Sequence, residues 1–211
     1  MHPNQNDVDG ATERSIFTMS KTQKNILAKI IRGVAIPPTF VVILTLCMYF
    51  LHPTMFRHAI DLIAVIIALA LIPATAYILA PILPGFKDKG RKGSRTLAFI
   101  TSAIGYVSGM IYAFASGATH DLKFIFGGYM LALVMLLIFN KLFKLKASGH
   151  ACGILGPLLY AVYFLGIGWL IPCLIVGAAV VWASIYRKSH TPKELMLGGL
   201  CACVGFFVGL I

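Results

Sequence analysis

Apolar stretches of 17 or more residues recur along most of the chain, broken by short polar segments rich in Lys, Arg, Gly and Ser. A hydrocarbon core about 30 Å thick takes about 20 helical residues to cross, so this pattern predicts an all-α, polytopic membrane helix bundle. Seven spans are read, at 33 to 52, 58 to 84, 96 to 116, 122 to 143, 150 to 166, 169 to 186 and 195 to 211. The last three are the least sharply bounded, which sets the count at six or seven. The apolar run from Ala151 to Ile185 is too long for one helix, and Gly166-Ile167-Gly168-Trp169 supplies the turn, with Trp169 at the interface. Residues 1 to 32 form a polar and amphipathic tail ahead of one transmembrane domain, 33 to 211. The first twenty residues read as a disordered tail without the apolar core of a removable signal peptide. From Lys21 to Arg32, Ile26, Leu27, Ile30 and Ile31 alternate with Lys24, Lys29 and Arg32, the pattern of a short helix lying on the membrane surface.

Composition strengthens this reading. Of 211 residues, 59% are hydrophobic, outside the range of soluble domains. Cys47, Cys152, Cys173, Cys201 and Cys203 all lie in apolar segments without paired metal spacing, and read as small core residues. A net charge of +11 would suit nucleic acid, but its placement follows topology instead. With seven spans, sixteen of the eighteen Lys and Arg residues fall on one face, leaving Arg57 and Lys123 on the other. The positive-inside rule then puts the basic face in the cytoplasm of a cell (inner) membrane protein, with the carboxyl terminus outside. The alternative is an external basic face, since part of the excess charge can serve a substrate anion.

Three polar patches share that face. Gly85 to Arg95 carries Lys87, Lys89, Arg91, Lys92 and Arg95, five cations in nine residues, on a glycine-bearing segment that reads as a phosphate-binding loop or as a solvated cytoplasmic loop. Lys146-Ala147-Ser148-Gly149-His150 begins a helix, where Ser148 is a cap and the free amide of Gly149 attracts an anion held also by Lys146. In Arg187-Lys188-Ser189-His190-Thr191-Pro192-Lys193-Glu194, a helix turning from Lys188 would place His190 and Glu194 at i and i+4. The carboxylate then orients the imidazole and leaves its other nitrogen as a nucleophile toward phosphorus. The competing reading is a helix start in which Glu194 complements the helix dipole. Two histidines, one carboxylate and several cations together suit phosphoryl transfer through a phosphohistidine. The seven acidic residues, with Asp7, Asp9 and Glu13 in the tail, leave too few carboxylates for a magnesium cluster, so no metal and no cofactor is expected.

At these positions the chain resembles the type 2 phosphatidic acid phosphatase superfamily of membrane lipid phosphatases. Ala147-Ser148-Gly149-His150 matches the family's Pro-Ser-Gly-His except at proline, and His190-Thr191-Pro192-Lys193-Glu194 matches the end of its third element with Glu for Asp. The resemblance covers roughly 85 to 205. It implies that His190 is the nucleophile, Glu194 its orienting carboxylate, and His150 the acid that protonates the leaving alcohol, with Ser148 and the Gly149 amide on the phosphate. The family's arginine six residues before the nucleophile aligns with Ser184, so that role is vacant unless Arg187 takes it. The Lys and Arg-Pro element is also missing, which leaves Arg95, Lys92, Arg91 and Lys89 as candidates in that order.

The expected function is therefore a metal-independent hydrolase of a lipid phosphate monoester or pyrophosphate, such as a prenyl phosphate, phosphatidate or phosphatidylglycerol phosphate. The partner is a lipid phosphate within the bilayer and not nucleic acid, and the protein is a monomer or homodimer. The alternative is a catalytically decayed member of the same fold that binds or flips lipid phosphates. A channel or solute carrier has little to build on, because Asp61 is the one acidic residue between 33 and 120 besides Asp88 in the basic segment.

Overall fold

A computed structural model describes residues 19–210, and the polar tail read over the first twenty residues lies outside these except for Met19 and Ser20. The described chain is all-helical. Eight helices are numbered here: α1 (Lys21–Val34), α2 (Pro37–Leu51), α3 (Ala59–Leu79), α4 (Gly90–Ala115), α5 (His120–Leu142), α6 (Gly149–Leu165), α7 (Leu170–Tyr186) and α8 (Pro192–Gly209). Five of them, α3, α4, α5, α7 and α8, are long and apolar enough to cross a bilayer. The chain is on this ground an integral membrane protein. Its outward side chains agree, with Ile104, Ile111 and Phe114 on α4 and Ile171, Leu174 and Ile175 on α7 all exposed.

Local chemistry sets where each helix begins and bends. A capping box between Ser20 and Gln23 starts α1. Pro37 and Pro38 stop it, because the residue before a proline is driven out of the helical region, and α2 leaves at a 62° bend. In α3, Pro73 cannot donate its amide to the preceding turn, and the helix widens into a π-segment over Ile67–Leu71. Gly166, at φ +94°, makes the turn after α6 in a conformation open to glycine, and a short 3₁₀ turn, Ile167–Trp169, leads into α7.

The molecule has two chemically different ends. At one end Arg57 donates to the carbonyls of Ser116, at 2.8 Å, and Gly117. Beside it, Asp61 is buried at the start of α3, accepting from the Tyr112 hydroxyl at 2.7 Å and from the Arg57 and His58 amides. The other end gathers the starts of α4, α6 and α8 with the ends of α3, α5 and α7. Between the ends, Phe124, Phe126, Tyr129, Tyr160 and Phe206 form an aromatic core among α5, α6 and α8. Helices α5 and α8 approach closely, and a Cβ on Gly205 would collide with the Gly128 carbonyl. The glycines of the last helix thus serve an internal contact.

The basic segment differs from its sequence reading. Only Gly85 to Lys89 is loop and 3₁₀ turn, and from Gly90 onward the residues are the first turns of α4. Arg, Lys and Ser are compatible with a helix, and nothing after Gly93 breaks it. This moves Arg91 and Arg95 onto one helix face, one turn apart.

Candidate functional site

The two histidine patches meet because α6 and α8 start side by side. Ser148 caps α6 by accepting from the Ala151 amide at 3.2 Å, and its own amide donates to the Glu194 carbonyl at 2.9 Å. Gly198 permits this contact, since a Cβ there would collide with the Ser148 carbonyl. With the Ala151 and Cys152 amides bonded to Ser148, the Gly149 and His150 amides lie outside the helical ladder at the positive end of the helix.

His190 stands just before α8. Pro192 at the first helical position and Thr191 as cap fix the helix start one turn later than a helix turning from Lys188 would have it. Lys188 instead takes a left-handed φ of +50°, closing the turn out of α7. Glu194 joins Thr191 in a capping box, and its Oε2 also lies 3.2 Å from His190 Nδ1. One carboxylate therefore makes both the capping box and the contact with His190. With Nδ1 protonated and donating to Glu194, the lone pair of His190 resides on Nε2. The rings of His150 and His190 are 6.3 Å apart at their centroids and 13° from parallel.

Both histidines line a cavity of about 450 Å³, within the range of small-molecule sites. One wall is the face of α4 that carries Arg91, Ser94, Arg95, Phe99, Ser102 and Tyr106, at the three- and four-residue spacing of a helix. Arg91 donates to the Ser189 carbonyl at 3.2 Å, next to His190. Arg95 donates to Asn140 Oδ1 at 2.8 Å, and Asn140 in turn donates to the carbonyls of Leu136 at 2.9 Å and Ala147 at 3.1 Å. That chain ties α4 and α5 to the segment leading into Ser148. Deeper in, Leu69, Pro73, Tyr129, Leu133 and Tyr160 make the lining apolar. A third guanidinium, Arg32 from α1, also lines the cavity.

Among the described residues no Asp or Glu side chain lines this space. Three lining side chains end in buried polar atoms that have no hydrogen-bond partner among the described residues: Arg32 Nη1, His150 Nε2 and Tyr129 Oη. Orphaned atoms of this kind call for a partner that is not part of the fold. Burial holds the His190 imidazole below its ordinary range, the Glu194 hydrogen bond pulls the other way, and the Arg32 and Arg91 charges add to the lowering. Among the described residues no three His, Cys, Asp or Glu side chains gather as a metal-ligand set.

Of the residues expected at a site, Ser148, Gly149, His150, His190, Arg91 and Arg95 line the cavity, and Glu194 stands behind His190. Lys89, Lys92, Lys146 and Arg187 are exposed and do not line it. Ser184 is fully buried, and its hydroxyl has no partner among the described residues. Arg32, Asn140 and Tyr129 were not singled out as site residues by sequence. Asn140 alone left a trace, as an amide at the end of an otherwise apolar span. A scan against family models and searches of curated proteins and solved structures give no match to the chain.

Proposed function

We propose that the protein is a metal-independent lipid phosphate phosphatase, cleaving a phosphate monoester or pyrophosphate of a membrane lipid through a phosphohistidine. One observation carries this reading: two facing histidines, one bonded to a carboxylate, stand with three arginines around a cavity whose far wall is apolar. Such a cavity suits an amphiphile whose anionic head meets the guanidiniums and whose chain lies along Leu69, Leu133 and Tyr160.

In this scheme His190 Nε2 attacks phosphorus while the bond to the lipid oxygen breaks, and His150, which takes up a proton once the substrate anion sits among the arginines, gives that proton to the lipid oxygen. Water then attacks the phosphorus of the phosphohistidine, neutral His150 takes the water proton, and phosphate leaves as the P–N bond breaks. Glu194 holds the imidazole and balances its charge. The Gly149 and His150 amides with Arg91 and Arg95 bind the phosphoryl oxygens. The same reading takes α2 and α6 as two further spans, which gives seven, and places the basic end in the cytoplasm by the excess of Lys and Arg.

Purified protein is expected to release inorganic phosphate from a lipid phosphate panel in chelator, and His190→Ala to abolish release while the thermal melt stays near that of the parent. Unchanged turnover in His190→Ala contradicts the assignment. A second reading, a binder or flippase on the same architecture, is favoured by the serine at 184 where the resembling family has arginine. Vanadate binding without turnover on any lipid tested would select it.

A further inference from the structure

We infer that Arg32, delivered by the surface helix α1 from outside the three polar patches, is the principal guanidinium that clamps the lipid's phosphate. The inference rests on the phosphatase reading of the cavity, and it concerns which residue grips the anion there.

The positional argument starts with the other cations. Arg91 is bonded to the Ser189 carbonyl and Arg95 to Asn140, so each has part of its donor fork committed to the protein. Arg32 has a buried Nη1 with no partner among the described residues and lines the same space as both histidines. It lies within Coulombic reach of His150, His190, Arg91 and Arg187. Like charges converging on an uncommitted guanidinium are unfavourable unless an anion sits among them.

The helix that carries Arg32 is built to hold it there. Ala28 is fully buried, and Ala35 and Ile31 pack with Ile154 and Val180, so one face of α1 is seated on α6 and α7. Ile26 and Ile30 on other faces stay exposed, as do Lys21 and Lys29. The bend ahead of Pro37 sets α1 at 62° to α2. α1 thereby serves as a side wall of the cavity, and Arg32 is the cation it contributes. Neither the buried Ser184 nor the exposed Arg187 supplies one from α7.

The test uses the full-length protein in lipid nanodiscs, with two readouts: kcat/KM for phosphate release from a lipid phosphate, and binding of orthovanadate. Arg32→Ala is expected to lower both by about 10- to 100-fold, the loss typical of a charged hydrogen bond. Arg32→Lys should recover part of the loss, since a point charge replaces a fork. Lys29→Ala, one turn away on the exposed surface, should stay within about twofold of the parent in both readouts. Should Arg32→Ala fail to fold, Arg32→Gln keeps the stem and removes the charge, and the same losses are expected. Equal behaviour of the Arg32 and Lys29 variants overturns the inference. A parent that binds vanadate in an Arg32-dependent manner without hydrolysing lipid leaves the clamp standing and removes the phosphatase reading. A parent that binds no vanadate removes both.

Discussion

Glu194 performs two jobs with one oxygen. Its Oε2 faces His190 Nδ1 at 3.2 Å and the Thr191 amide at 3.4 Å, so loosening the helix start also loosens the imidazole. Thr191→Ala removes the cap of α8 and should cost about 1 kcal/mol in a thermal or denaturant assay, together with a fall in kcat. The pH profile follows from the lowered His190 value. A nucleophile must be neutral, and an imidazole held below its ordinary range stays neutral as pH falls through the ordinary value of about 6.5. The acid limb of kcat/KM assigned to His190 is therefore expected below that value, and the stability linked to the same group is lost as pH falls from the ordinary value towards the lowered one. Since the Glu194 bond opposes the lowering, Glu194→Gln should move the limb to still lower pH while reducing kcat. A limb that stays in place or moves upward contradicts the pairing. His150, His190 and Glu194 were legible in sequence because spacing and capping act over a few residues. Arg32 was not, because what brings it to His150 is the packing of α1 on α7, and an amphipathic surface helix explains its charge equally well.

Among the elements, α4 shows what a loop reading misses. Five cations with glycines look like a loop, but the helix reaches back to Gly90 and sorts them by face. Arg91 and Arg95 turn into the cavity, while Lys92 is exposed and does not line it. The helical spacing is present in the sequence, but the apolar run that marks a span begins only at 96. The α6–α8 contact is the second such case. Gly198 sits against the Ser148 carbonyl, and Gly198→Ala forces those backbones apart. Loss of about 1–3 kcal/mol is expected from overpacking, measured by thermal unfolding in detergent. Vanadate binding should weaken with it, because the Ser148 cap and His150 move together. Unaltered stability would show that the two helix starts are not held as described.

At the scale of the whole molecule, the apolar pattern was enough to read an all-helical membrane protein, but the number of crossings was not. Helices α2 and α6 are short, α1 is bent from α2, and length and composition admit five crossings, or six if the bent pair α1 and α2 is one span. What organises the bundle is the asymmetry of its ends. Arg57, Asp61 and Lys123 lie at one end, and the cavity with its arginines lies at the other. In a cysteine-free background, Lys89→Cys and Lys193→Cys should label from the same side of sealed vesicles and Lys123→Cys from the opposite side. Labelling of Lys89→Cys and Lys193→Cys from different sides contradicts the arrangement. The central claim is the covalent step at His190, and trapping it tests that claim most directly. Rapid quench of the purified protein with a lipid phosphate labelled at phosphorus should yield an acid-labile, base-stable phosphoprotein whose label maps to His190 and vanishes in His190→Ala. Turnover that proceeds with no label on His190, or label that persists in His190→Ala, would contradict it.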